Sequence, residues 1–297
     1  MKSLLFTLCL SLVTLIAYGQ SNSSAVSQQG STNEAVVIQV GLENRSEINH
    51  RRGQNMATVQ QSGARNESFV TSKTPNGNLT NEVDIDQIGD DNRSRARQLA
   101  DDNFIKAFVR GNNNDTRVRQ RRSGNRSNLA LRGDGNIADI YQEGFDNRSV
   151  VRLGLKPNTA DLNEATIAQV GDNNHFRLEV MGDQNTINLT ATGNSNRGEW
   201  GMSNEAGAIF SNTNTLDILQ DGDYNLTSGY VEGSGNDIDI NQTGYDNQVG
   251  TSWTASDGVH IIGNSNSVSI TQSGMGNRSL NTQIGNGNTI NVNQQEL

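Results

Sequence analysis

Histidine is the side chain best suited to acid–base or metal chemistry near neutral pH. The sequence holds three, His50, His175 and His260. They stand far apart, with no His-x-x-x-His or other ligand spacing, and read as isolated strand or loop positions. Acid pairs occur at Asp84 and Asp86 and at Asp237 and Asp239. The i, i+2 spacing puts each pair on one face of a strand, where it could hold a cation weakly. The nine-residue calcium-binding repeat is absent, as are Gly-x-Ser-x-Gly and the P-loop. The single cysteine, Cys9, lies in an apolar leader, which leaves the processed chain no thiol nucleophile and no thiolate metal site. This pattern predicts neither an enzyme nor a cofactor. What recurs is the amide side chain.

The motif Gln-x-Gly-x-x-Asn occurs at Gln28-Gly30-Asn33, Gln39-Gly41-Asn44, Gln61-Gly63-Asn66, Gln87-Gly89-Asn92 and Gln142-Gly144-Asn147. It returns at Gln169-Gly171-Asn174, Gln220-Gly222-Asn225, Gln242-Gly244-Asn247, Gln272-Gly274-Asn277 and Gln283-Gly285-Asn288. Copies with an apolar residue for Gln lie between them: Val109-Gly111-Asn114, Leu131-Gly133-Asn136, Val180-Gly182-Asn185, Val231-Gly233-Asn236 and Ile261-Gly263-Asn266. Gln98-Ala100-Asn103 keeps the frame with Ala for Gly, and the usual Gly-to-Gly step is 11 residues.

The residues between motifs alternate. Ile187, Leu189 and Ala191 are separated by Asn188 and Thr190, and Phe176, Leu178 and Val180 by Arg177 and Glu179. Period two is a half-buried strand. Gly-x-x-Asn is a tight arc, in which Gly takes backbone angles other residues resist and Asn caps its own backbone. Each 11-residue unit is therefore one strand plus one arc, and two units close a coil of 22 residues with two facing strands. The expected fold is an all-β, two-sheet β-solenoid of about 11 coils and about 22 strands, with an irregular strand ending near Met202. At about 4.8 Å per coil it would be roughly 50 Å tall. Inward Gln and Asn should stack as amide ladders, each bonding the copies above and below. Gly every 11 residues excludes a helical reading.

Composition fits a narrow core. Only 32% of the residues are hydrophobic, with 31 Gly against 2 Pro. Residues 1–19 read as a signal peptide: Met1-Lys2, an apolar run to Ala17, and the small-x-small site Ala17-Tyr18-Gly19. The run is too short to span a membrane, and residues 20–297 read as a single repeat domain. The period breaks near 72–80, 155–164, 204–214 and 254–260, read as loops bulging from the arcs. Nineteen basic residues fall between Arg45 and Lys156, whereas 16 acidic residues follow Lys156. Most of these charges read as solvated outward positions; an orienting effect on head-to-tail stacking is the alternative. With few aromatic residues to stack bases, nucleic acid is an unexpected partner.

The repeat resembles the curlin repeat of curli fibre subunits, Ser-x5-Gln-x-Gly-x-x-Asn-x-Ala-x3-Gln. Gln28 and Gln39, and Gln272 and Gln283, keep its spacing of 11 between glutamines. The family's Ala after Asn is mostly lost, with Arg45, Arg93, Arg148 and Arg278 following Asn directly. The resemblance implies export through a dedicated outer-membrane channel and nucleated polymerisation into extracellular amyloid of the biofilm matrix. It leaves the major-subunit and nucleator roles open. A non-polymerising surface adhesin or spacer with the same fold is the rival, but the repeats run to Asn288 and another strand begins at Thr289, with no polar cap in view.

Overall fold

A computed structural model describes residues 21–75, 80–154, 161–202, 212–250 and 258–296. The leader with Cys9 and most of the four irregular segments lie outside these residues. The strands are β1 (Ser23–Gln29), β2 (Glu34–Leu42), β3 (Arg45–Arg51), β4 (Asn55–Ala64), β5 (Glu67–Lys73), β6 (Asn81–Ile88), β7 (Arg93–Gln98), β8 (Phe104–Arg110) and β9 (Asp115–Arg121). They continue as β10 (Arg126–Arg132), β11 (Ile137–Glu143), β12 (Arg148–Leu153), β13 (Glu164–Val170), β14 (His175–Val180), β15 (Thr186–Thr192), β16 (Arg197–Met202) and β17 (Thr215–Asp223). The last are β18 (Leu226–Glu232), β19 (Asp237–Tyr245), β20 (Gln248–Val249), β21 (Val259–Ile262), β22 (Ser267–Met275), β23 (Arg278–Ser279), β24 (Asn281–Ile284) and β25 (Thr289–Gln295).

Consecutive strands go to opposite sheets, so each strand pairs in parallel with the strand one full coil away. The first sheet has 12 strands in the order β1-β3-β5-β7-β9-β11-β13-β15-β17-β19-β22-β25. The second has 13 and runs through the even-numbered strands from β2 to β18. Its last two rungs are each broken in two, β20 with β21 and β23 with β24. The chain thus forms a parallel two-sheet β-solenoid of about 11 coils, one rung longer than the expected count of strands. The strand expected to be irregular near Met202 is β16, which runs in register with β14 and β18.

The frame survives insertion. Partners in regular coils are 22 residues apart, as in Ser23↔Arg45. The step lengthens to 26 for Glu67↔Arg93, 27 for Ile137↔Glu164, 29 for Thr186↔Thr215 and 30 for Asp237↔Ser267 without shifting a single inward residue outward. A slip of one would have flipped every side chain across the sheet, and the register is the same before and after each longer step.

The core is the pair of inner faces. Ile48, Val70, Val118, Ile140, Ile167, Leu189, Ile218, Ile240 and Ile270 stack up the first sheet, against Val59, Ile85, Leu129, Val151 and Leu178 of the second, all buried. The two largest inward side chains sit beside glycines one rung away. A Cβ on Gly198 would overlap the Phe176 ring, and one on Gly229 the Trp200 ring. Packing density is kept by pairing large with small between rungs, as a core without voids requires.

The arcs explain the glycines. All fourteen arc glycines of the sequence reading, Gly30 through Gly285, hold φ between +105° and +125°. A Cβ at Gly144 would run into the Gly171 carbonyl of the next coil. The residue before each arc Asn is left-handed, as at Asp91 (φ 58°), Asn173 (φ 58°) and even Arg65 (φ 55°). This conformation costs a side-chain-bearing residue energy, and the closed hydrogen-bond frame of the coil maintains it.

Candidate functional site

Two asparagine columns run the height of the solenoid at its two edges. One begins at Asn22 and passes through Asn44, Asn66, Asn92, Asn114, Asn136, Asn163, Asn185, Asn214, Asn236 and Asn266 to Asn288. At every step the side-chain or backbone N–H of the later Asn donates to Oδ1 of the earlier one. The other runs from Asn33 through Asn55, Asn81, Asn103, Asn125, Asn147, Asn174, Asn196, Asn225 and Asn247 to Asn277 in the same manner. Nδ2 commonly donates as well to the next coil's arc carbonyl, as from Asn66 to Gly89 O at 2.6 Å and from Asn147 to Gly171 O at 2.7 Å. Each such amide bonds up and down, which is what lets it be buried.

The glutamines form a second system at the last inward position of the strands. In the first sheet Gln98, Gln120, Gln142 and Gln169 are linked Nε2-to-Oε1 at 3.3, 2.9 and 2.8 Å. Gln220, Gln242, Gln272 and Gln294 are linked at 2.9, 2.8 and 2.8 Å. In the second sheet Gln39, Gln61 and Gln87 are linked at 2.8 and 2.9 Å. Hydroxyls of the facing sheet complete these chains: Gln61 Nε2 donates to Ser68 Oγ at 3.1 Å, which donates to Gln87 Oε1 at 2.7 Å. Asparagine steps point toward the N-terminal end of the solenoid, and glutamine steps point toward the C-terminal end.

At this position Gln and apolar residues divide between the two sheets. From Val109 to Ile261 the second sheet's column is apolar, while the first keeps mainly Gln. The glutamine chains break where a neighbour is apolar. Gln220 follows Ala191 and Gln283 follows Ile261, and both Oε1 atoms are buried without a partner. Gln28 lies in β1, every residue of which is exposed.

His50 occupies the glutamine position of β3, between Gln28 and Ser72. It is fully buried and neither ring nitrogen has a hydrogen bond. Burial lowers its pKa to about 4, so it is a neutral core residue. His175 faces outward on β14, its pKa lowered by burial and then by Arg148, Arg197 and Arg177. His260 stacks edge-on against Tyr230 at 5.5 Å. The three are not brought together. Among the described residues no group of three or more His, Cys, Asp or Glu could hold a metal ion. Nor is any described helix long and apolar enough to cross a membrane.

Several ladder members escaped the motif. Gln120 and Asn125 flank an arc with Arg122 (φ 66°) in the glycine position, and Asn55 follows Arg52 (φ 69°). Asn196 sits behind Ala191-x-Gly193, so allowing Ala for Gln would have found it. Asn81, Asn163 and Asn214 each follow an irregular segment that hides their arc. Gln294 has Glu296 where the motif has Gly.

Among the described residues, both ends of the solenoid are open: β1 and β2 pair on one side only, with β3 and β4, while β25 pairs only with β22, and the β23–β24 rung only with β20 and β21. Among the described residues nothing donates to Oδ1 of Asn277 or Asn288, the last members of their columns. Residues 212–244 and 263–295 match the curlin associated repeat. No curated protein matches the chain. The matched segments are built on the strand-and-arc unit that forms both sheets, so that part of the chain is similar to the curlin associated repeat.

Proposed function

We propose that this chain is a secreted structural subunit that assembles head to tail into curli-like extracellular fibres of a biofilm matrix, without catalytic activity or cofactor. The observation that carries it is that, among the described residues, the two ends of the solenoid are unpaired and in frame with each other. Aligned on the arc asparagines, a second copy would set β1 on β25 in the first sheet and β2 on the β23–β24 rung in the second. Asn22 would then lie over Asn288 and Asn33 over Asn277. Gln28 would follow Gln294, and Gln39 would follow Gln283. In sequence Glu34 meets Arg278, Val36 meets Leu280 and Val40 meets Ile284, one opposite-charge and two apolar contacts on the outer face. Val40 and Ile284 are 61% and 72% exposed in the single chain, and an open parallel edge of this kind is a template for another strand.

The ladders also set polarity. Oδ1 of Asn288 is an acceptor facing the donors of Asn22, whereas two C-terminal ends brought together would oppose acceptor to acceptor. Unpaired buried polar groups cost about 1–3 kcal/mol each, so head-to-tail is the joint that satisfies the frame. Release of purified chain from denaturant, followed by thioflavin fluorescence, tests the reading. A lag that preformed seeds abolish, with product reflections near about 4.7 Å and 10 Å, is the expected result. A soluble β-rich monomer that never seeds overturns it and leaves the adhesin or spacer reading.

A further inference from the structure

Part of the charge asymmetry of the sequence lies on a lateral face, away from the two open ends. On the outer face of the first sheet, the parallel register aligns every second residue in columns up the solenoid. β7 and β9 present Arg93, Arg95, Arg97, Arg117, Arg119 and Arg121 there. Four carboxylates, on Glu67, Asp115, Asp139 and Glu143, answer these arginines. Arg97 has no carboxylate within ion-pair distance among the described residues. Five rungs further on, β17 and β19 present Asp217, Asp221, Asp237 and Asp239 on the same face. Among the described residues no cation pairs with any of these four. Asp239 is raised above the usual carboxylate range by burial and then by repulsion from Asp217 and Asp237.

We infer that this face pairs with the same face of a second copy running in the opposite direction. A two-fold axis along β13, in the plane between the copies, sends β7 onto β19 and β9 onto β17 while keeping every column in place. Following the register from strand to strand, Arg93 then meets Asp237, Arg95 meets Asp239, Arg117 meets Asp217 and Arg121 meets Asp221. Each contact occurs twice, as a two-fold interface demands. On the axis, β13 offers Thr166 and Ala168, small enough for close approach, and sets Glu164 against its own copy as the one like-charge contact on that strand, while β11 meets the uncharged outer face of β15. Two copies running in the same direction would set β7 on β7 and β19 on β19, arginine against arginine and aspartate against aspartate. Such like-charge juxtaposition is what excludes wrong pairings.

The pairing goes beyond the fibre reading, since it needs only two folded chains; in fibres it would join filaments of opposite polarity. Sedimentation velocity on the full chain, below the concentration at which fibres grow, tests it with two double variants. One carries Asp217→Lys and Asp239→Lys, the other Arg95→Glu and Arg117→Glu. All four positions face outward, and circular dichroism checks that the fold is kept. The parent chain should dimerise at low salt and dissociate toward 1 M salt, where the screening length is about 3 Å. Each variant alone should pair at least about tenfold more weakly. An equimolar mixture of the two should restore the dimer, because every reversed pair is then matched by its opposite. Variants that dimerise like the parent, or a mixture that stays monomeric, would overturn the inference. Either result is read on soluble chains, so it stands apart from success or failure of fibre growth.

Discussion

At the scale of single residues, buried amides carry the repeat because their neighbours above and below satisfy them, Oε1 of Gln220 and of Gln283 excepted. Asn125 shows the dependence: its Oδ1 accepts from the Asn147 backbone and side chain, and its Nδ2 reaches Asn103 and the Gly144 carbonyl at 3.2 and 2.9 Å. Asn125→Ala strands groups on both sides and should cost about 3 kcal/mol in denaturant unfolding. Asn288→Ala removes bonds on one side only and should cost about 1 kcal/mol in the single chain, while slowing fibre elongation markedly. Gly144→Ala meets two obstacles, φ of +125° and the Gly171 carbonyl, and should lower the denaturation midpoint more than an Ala substitution at an exposed strand position. His50 sets a pH dependence. Its folded pKa is about 4 against an ordinary 6.5, so between those values the unfolded chain binds the proton and the folded chain resists it. Stability falls as pH drops through that window and, for this group, levels off below about 4. His50→Gln should flatten the profile, as read by unfolding at pH 7, 5 and 4.

At the scale of the strand and arc, the aromatic positions test how tightly the rungs are coupled. Gly229 leaves room for the Trp200 ring one rung away, so Gly229→Val should destabilise by about 2 kcal/mol through overpacking, measurable by denaturation. The same coupling explains what could be read in advance. A period of 11 with inner alternation is imposed on every coil, because a slipped rung would turn its core residues to solvent, and both sheets followed from it. The apolar copies Val109, Leu131 and Val180, lying between Gln copies in the chain, already pointed to two sheets that differ at this position, and all three fall in the second sheet. Arcs closed by Arg52 and Arg122 were hidden because residues other than Gly occupy left-handed angles there, held by the asparagine bonds on either side. His50 was legible as an isolated histidine, but its burial follows only from the stacking of β3 between β1 and β5.

At the scale of the whole molecule, the chain has a direction and two ends that match. In the proposed assembly, backbone edges, amide columns and outer-face residues would all continue in one frame from β25 and the β23–β24 rung to β1 and β2 of a next copy. Its lateral face carries a separate set of opposite charges, so the proposed growth along the axis and the inferred pairing across it would use different residues. Hydrogen exchange of the end strands, before and after assembly, reads the central claim most directly. In the single chain, the β1 amides that point away from β3, and the β25 amides that point away from β22, should exchange rapidly. In assembled fibres both sets should become as protected as those of β11 and β13. Fibres whose β1 and β25 amides keep exchanging at the single-chain rate would contradict head-to-tail addition through the open ends.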